Sequence, residues 1–280
     1  MTIGIVGLGL IGGSLAMSIR RHTNHTVLGF DVDPATMLRA RAVEAIHDEL
    51  TPESLPLCDF VLVALYPNLC ADYIVGHADD FRDGAVVVDC AGVKRRVYDR
   101  AAAAAAGRGW WYIGGHPMAG REFSGFSYAK SDLFDRASML LCPPPETGIE
   151  VRERAKAFFL EAGFGTVRFT TPLEHDQMIA YTSQLAHVVS GAYVKNPLAG
   201  AHKGFSAGSF KDMTRVARLN EGMWTELFLE NDDLLLPALD DLILRLGEYR
   251  EALANRDAAR LETVLKEGRL CKEALDEPID

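Results

Sequence analysis
The chain has 280 residues, enough for two ordinary domains that each bury a core, and its 48% hydrophobic and 24% charged residues exclude collagen-like, mini-protein and largely disordered readings. Lys plus Arg number 29 against 39 Asp plus Glu, a net charge of −10 that repels phosphate backbones and anionic bilayers and directs attention to small-molecule chemistry, with no nucleic-acid or membrane partner expected. Five cysteines (Cys58, Cys70, Cys90, Cys142, Cys271) form an odd set without a C-x-x-C pair, which argues against a disulfide framework or zinc knuckle and for a reducing, cytoplasmic setting.

From the N-terminus, the opening MTIGIVGLGLIGGS has neither a basic leader nor a cleavage site, and no apolar run reaches the roughly 18–20 residues of a membrane span. Short apolar runs at 3–6, 26–30, 60–65, 86–89, 111–114 and 138–142 read as strands buried on both faces. Helix-like stretches at 12–21, 34–43, 68–79 and 93–106 separate them, so the pattern predicts a doubly wound α/β domain with a mostly parallel sheet. The alanine run 101–106 reads as helix with little side-chain entropy to lose. A last strand-like run at 166–170 precedes Thr171-Pro172, and beyond it only helical periodicities occur, near 175–194, 209–229, 231–254 and 256–275. The expected domains are therefore 1–170 and an all-helical 171–280 of four or five helices. Residues 230–280 hold 14 acidic and 7 basic side chains, a solvated face of net charge −7.

Gly7-Leu8-Gly9-Leu10-Ile11-Gly12 follows a strand and opens a helix, the context that gives a G-x-G-x-x-G match its meaning as a Rossmann-type dinucleotide site; otherwise it is only a tight βα turn. Gly7 permits the turn, Gly9 lets backbone approach a pyrophosphate, Gly12 lets helix pack on strand, and the amides of Leu10 and Ile11 begin the helix that faces the phosphates. About twenty residues on, Asp31 ends the second strand, where a carboxylate accepts from a ribose 2′-hydroxyl and repels a 2′-phosphate, which favours NAD over NADP. Asp33, before Pro34, reads as a helix N-cap, and Arg39 and Arg41 as solvated.

Four of the eight histidines (His22, His25, His47, His77) read as surface residues. His116 differs, lying in Gly114-Gly115-His116-Pro117-Met118-Ala119-Gly120 after a strand, on the side of the sheet where open α/β folds bind ligands; a loop histidine shaped by Gly and Pro is the plainer alternative. On predicted helices, Ser183 and His187 are four apart and share a face, as do the cations Lys211 and Arg215.

Taken in order, G-L-G-L-I-G-G-S at 7–14, G-G-H-P-M-A-G-R-E at 114–122 with Leu133-Phe134, E-H-D at 174–176, T-S-Q-L-A-H at 182–187, and S-F-K-D-M-T-R-V-A at 209–217 with Met223, Trp224 and Asn231 resemble the prephenate dehydrogenase family over nearly the whole chain. The resemblance implies NAD-dependent oxidative decarboxylation of prephenate, or of arogenate, on the route to tyrosine, without a metal. It implies that His116 is the catalytic base for the ring hydroxyl, that Ser183 and His187 bind substrate, and that Arg215 clamps a carboxylate with Lys211 beside it. It further implies an ionic network of Glu122 and Asp212 near the pocket mouth, and contributions of Asp176, Gly208 and Trp224 to the neighbouring subunit's site in a homodimer built through the helical domain. Surface salt bridges and an ordinary core tryptophan are the plainer alternatives for these.

Three departures stand out. Family members often carry Ser before V-K where this chain has Gly92-Val93-Lys94, so the hydroxyl that would orient the histidine is missing and a backbone group or water is left to do so. Gln184 and Ala186 replace the frequent His and Pro, which bears on substrate preference. The chain ends near the bundle, without room for an added regulatory domain. Competing readings are a β-hydroxyacid dehydrogenase, which would rely on a lysine in the helical domain, and a non-catalytic NAD-binding protein, against which intact His116, Ser183, His187 and Arg215 argue.

Overall fold
A computed structural model describes residues 1–120 and 123–276. Its strands β1 (Thr2–Val6), β2 (Thr26–Phe30), β3 (Asp48–Glu49), β4 (Phe60–Val63), β5 (Val86–Asp89), β6 (Trp111–Pro117), β7 (Ser138–Cys142) and β8 (Thr166–Phe169) form one sheet in the order β3-β2-β1-β4-β5-β6-β7-β8. Helices α1 (Leu10–His22), α2 (Pro34–Ala42), α3 (Pro67–Gly76), α4 (Arg95–Ala105) and α5 (Ile149–Glu161) lie between strands. The strand order reverses between β1 and β4, opening a crevice at their carboxyl ends, where ligands of doubly wound sheets bind. All pairings are parallel except β6 with β7, where Gly114 faces Cys142. Between these two, the described chain holds only a short 3-10 turn, Phe126–Tyr128, and no crossover helix, so it returns antiparallel.

The apolar runs are strands because successive side chains fill two separate cores. Ile3, Ile5, Phe60, Leu62, Val86 and Val88 enter one cluster; Val6, Val61, Val63 and Val87 enter the other. α5 and the two-residue β3 were not anticipated. Charged residues at 150–156 blur the periodicity of α5, which is fixed by Ala155, Phe158 and Phe159, with Phe158 stacked on Phe60 at 4.2 Å between centroids.

The chain divides into two compact units, Met1–Asn231 and the segment from Asp232 onward. Besides the sheet, the first holds α6 (Pro172–Ile179), a π-type segment at Ala180–Leu185, α7 (Ala186–Tyr193), α8 (Gly208–Thr214) and α9 (Glu221–Leu229). The change from strand to helix falls between Phe169 and Pro172, with the Thr171 hydroxyl capping α6 through the Glu174 amide. The single periodic segment expected at 209–229 is two helices: a 3-10 turn at Arg215–Ala217 ends α8, and the Asn220 side chain caps α9 by accepting from the Met223 amide. The second unit is a hairpin of α10 (Asp232–Ala254) and α11 (Ala258–Asp276), turned through Arg256 at φ +53°. Among the described residues no strand follows Phe169, and no helix is long and apolar enough to cross a membrane.

Candidate active site
The glycine loop has the shape its sequence demands. Gly7 has φ +84°, and a Cβ on Gly12 would overlap the Gly7 carbonyl oxygen, whereas a Cβ on Gly9 would meet nothing within 4 Å. Gly9 begins α1 without any side-chain cap, so the first amides of the helix, from Leu10, Ile11 and Gly12, are open to an anion. Asp31 sits at the end of β2, where its Oδ2 accepts from the Leu8 amide at 2.7 Å and its Oδ1 from the Asp33 amide at 2.9 Å. The carboxylate is thereby fixed beside the loop with lone pairs to spare. Asp33 is an N-cap, as its place before Pro34 predicts, accepting from the Ala35 and Thr36 amides.

His116 projects from the carboxyl end of β6. The backbone beneath it is tight: a Cβ at Gly115 would lie 2.6 Å from the Asp89 carbonyl oxygen and 2.6 Å from Val88 Cγ1, so the strand reaches His116 only with glycine there. Below the loop after β5, the fully buried Lys94 ammonium pairs with the fully buried Asp89 carboxylate, which also accepts from Tyr112 Oη at 2.7 Å and the Ala91 amide at 3.0 Å. That polar knot holds Gly92 and Lys94 in place; an added Cβ at Gly92 would stand 3.1 Å from Leu227 Cδ2 and 4.0 Å from His116 Nε2.

The other imidazole nitrogen, His116 Nδ1, lies 2.8 Å from Nε2 of the buried His175, whose Nδ1 in turn lies 2.8 Å from Asp176 Oδ1. Asp176 also accepts from the Lys94 amide at 2.8 Å, the Arg95 amide at 3.0 Å and Arg95 Nε at 3.1 Å. Burial, then the neighbouring His175 and Lys94, hold His116 well below the usual imidazole pKa of 6.5. Burial also lowers His175, against the opposing pull of Asp176. At Asp176 burial alone would raise the pKa, but the hydrogen bonds from His175 and from the Arg95 and Lys94 amides outweigh it and the net shift is downward.

A second cluster forms on the helices. His187 Nδ1 donates to the Ser183 carbonyl at 2.8 Å, which leaves Nε2 as an acceptor in the neutral ring, and its face packs on Trp224 at 3.9 Å between centroids. Burial first, and then the charge of Arg215, keep this imidazole below its usual pKa. Ser183 lies in the π-type segment, a local widening of the helix that often accompanies functional sites. Lys211, Asp212 and Arg215 are exposed on α8 and the turn that ends it. α9 joins the two clusters: Trp224 covers His187, Leu227 meets Gly92, and Asn68 binds Glu226 through its amide at 2.8 Å and side chain at 3.0 Å.

Asp176 is 0% exposed and its carboxylate is bonded within its own chain, and Trp224 packs on its own chain's His187 and Phe228. Gly208 is exposed at the start of α8. Glu122 lies outside the described residues. Gln184 is buried, donating to the Leu227 carbonyl at 2.8 Å and accepting from Asn231 at 2.8 Å; Asn231 also donates to the Asp176 carbonyl at 3.0 Å and accepts from Arg95 at 2.9 Å. Residue types alone did not single out His175, Lys94, Arg95 or Asn231. The available signals were an acid closing the otherwise apolar strand Val86–Asp89, and adjacent His and Asp in the first turns of α6.

Two family models match the chain. One, the prephenate dehydrogenase nucleotide-binding domain, covers residues 15–167, and the other, the prephenate dehydrogenase dimerization domain, covers 171–267. The chain is 28% identical over 284 residues to a prephenate dehydrogenase of Bacillus subtilis, spanning 98% of this chain and 76% of that protein. It is also 28% identical over 284 residues to a cyclohexadienyl dehydrogenase of Zymomonas mobilis, spanning 98% and 95%. Similar solved structures include prephenate dehydrogenase from Aquifex aeolicus in complex with hydroxyphenyl propionate and NAD+, with a TM-score of 0.83 and 25% identity over 99% of this chain and 98% of that one. Synechocystis arogenate dehydrogenase gives a TM-score of 0.81 and 25% identity over 98% of this chain and 100% of that one. With both domain models matched in order over a sheet and helices of this arrangement, the chain belongs to the prephenate dehydrogenase family.

Proposed function
We propose that this chain is an NAD-dependent dehydrogenase that oxidises and decarboxylates prephenate to 4-hydroxyphenylpyruvate, working as a cytoplasmic homodimer. In this reading residues 1–170 bind the cofactor, and 171–280 bind substrate and form the dimer. The observation that carries it is His116, a half-buried imidazole kept neutral at the carboxyl edge of the sheet in a chain of this family. The cradle suits a dinucleotide: open space at Gly9, uncapped amides at the start of α1, and Asp31 for a ribose hydroxyl. Arg39 and Arg41 do not favour a 2′-phosphate, because Arg39 donates to Ser127 and Arg41 to Asp48 and Glu49. NAD, when bound, supplies the hydride acceptor.

His116 takes the ring-hydroxyl proton at Nε2 as hydride leaves the same carbon. The bond from the ring to its carboxylate breaks, CO2 departs, and the electron pair left behind completes the aromatic ring and places negative charge on the ring oxygen, which takes its proton back from His116 to give the phenol. Arg215 clamps a substrate carboxylate, Lys211 adds a second positive charge, and Ser183 and His187 hydrogen-bond the substrate. Arogenate is the second reading, favoured by the likeness to the Synechocystis enzyme.

The test is absorbance at 340 nm with prephenate and arogenate, each with NAD and NADP. Rapid NADH formation with prephenate is expected. Preference for arogenate would replace the substrate, and no reduction in any mixture by folded, NAD-binding protein would sink the dehydrogenase reading.

A further inference from the structure
The hydrogen bonds around Asp176 determine where the protons of two histidines sit. Its oxygens accept from two backbone amides and a guanidinium, groups that can only donate, so the carboxylate is acceptor-only and His175 Nδ1 must supply the proton of the fourth bond. A neutral His175 then offers only a lone pair at Nε2, and His116 Nδ1, 2.8 Å away, must be the donor. Burial and the Lys94 ammonium favour that neutral state. The lone pair of His116 is thus left on Nε2, the nitrogen that lies on the side of Gly92.

We propose that His175, itself oriented by Asp176, is a positioning residue that locks His116 in its Nδ1–H form so that Nε2 receives the substrate proton. This rests on the dehydrogenase reading above, and it supplies what Gly92 lacks: the ring is oriented by a histidine and aspartate from α6 in place of a hydroxyl from the β5–α4 loop. Without His175 the ring can rotate or adopt the opposite tautomer, with its proton on the nitrogen that must act as base. A wrong tautomer in a hydrogen-bonded relay of this kind costs up to about 10⁴-fold in rate.

Two measurements test it on the full-length protein. In the first, long-range ¹H–¹⁵N correlation spectra of histidine-labelled protein, assigned by loss of signal in His116→Asn, report which nitrogen of His116 carries the proton. The expected result is a protonated Nδ1 and bare Nε2, with a mixed or inverted pattern in His175→Phe. A proton on Nε2 in the unmodified protein, or an unaltered pattern in His175→Phe, overturns the proposal. In the second, His175→Phe should lower kcat with prephenate and NAD by about 10²-fold or more while KM stays within about threefold. His175→Gln, whose side-chain oxygen can accept from Nδ1, should recover at least about tenfold of that loss. Equal kcat for the unmodified and Phe proteins would refute the role, as would a Gln variant no better than Phe. If His175→Phe does not fold, the tautomer in the unmodified protein decides. That spectrum needs no substrate, so an enzyme inactive on every substrate offered would refute the dehydrogenase reading while the tautomer result stood on its own.

Discussion

The base in the proposed reaction, His116, is an imidazole whose proton is kept off by burial, a neighbouring imidazole and an ammonium. Its folded pKa is lowered, so the base remains free below the pH at which an ordinary histidine is half-protonated. The acid limb of kcat/KM against pH should therefore lie below 6.5, and a limb at or above that value would show that another group controls the rate. Replacing His116 by Asn should lower kcat by at least about 100-fold with little change in KM, and near-normal turnover would remove it from the mechanism. Beneath it, Lys94 and Asp89 form an ion pair in which both side chains are 0% exposed. Lys94→Met leaves the Asp89 carboxylate buried without its cation and should cost about 3–5 kcal/mol of stability, read from denaturant unfolding. A loss near zero would mean that Tyr112 and the Ala91 amide suffice to hold that charge.

Among the elements, the turns around α1 and α2 separate two neighbouring carboxylates by role. Asp31 closes β2 and holds the glycine loop through Leu8, while Asp33 caps α2. Asp31→Ala should raise KM for NAD several-fold and weaken discrimination against NADP, whereas Asp33→Ala should lower Tm slightly and leave the cofactor ratio unchanged. Steady-state kinetics with both cofactors and a thermal melt of each variant distinguish them; a shifted ratio in Asp33→Ala would exchange the assignments. α9 is the element that unites the site, because one short helix carries Trp224 on His187, Leu227 on Gly92 and Glu226 on Asn68. Asn220 makes this possible by starting a new helix where periodicity alone suggested a continuous one.

For the whole molecule, three imidazoles held neutral in the folded state tie stability to pH. His116, His175 and His187 all have lowered pKa values, whereas the unfolded chain protonates its histidines near 6.5. Their contribution is full above that pH and is lost progressively as the pH falls below it toward their folded values; the lowered Asp176 adds a further loss at still more acidic pH. Tm should therefore fall between pH 7.5 and 5 at constant ionic strength, and a flat or rising Tm would contradict the burial of these groups. Charge at this scale also matters for the proposed reaction: against a net of −10, Lys211 and Arg215 are the local cations that the proposed function assigns to an anionic substrate.

The repeating apolar runs and the glycine loop were legible in the sequence because their causes are local: a strand buried on both faces must be continuously apolar, and a turn at φ +84° calls for glycine. The cap at Asp33 and the change from strands to helices near residue 170 were legible for the same reason. The relay from Asp176 through His175 to His116 was not, since His116 and His175 lie 59 residues apart along the chain and only the tertiary placement of α6 beside the end of β6 and the β5–α4 loop brings them within hydrogen-bonding distance. Nor could residue types reveal that the Asp176 carboxylate is buried and bonded to Lys94, Arg95 and His175, because that is set by which neighbours pack around it. Local backbone and patterning rules wrote the sheet, its turns and the cofactor cradle into the sequence; tertiary contact alone decided where the protons of the site reside.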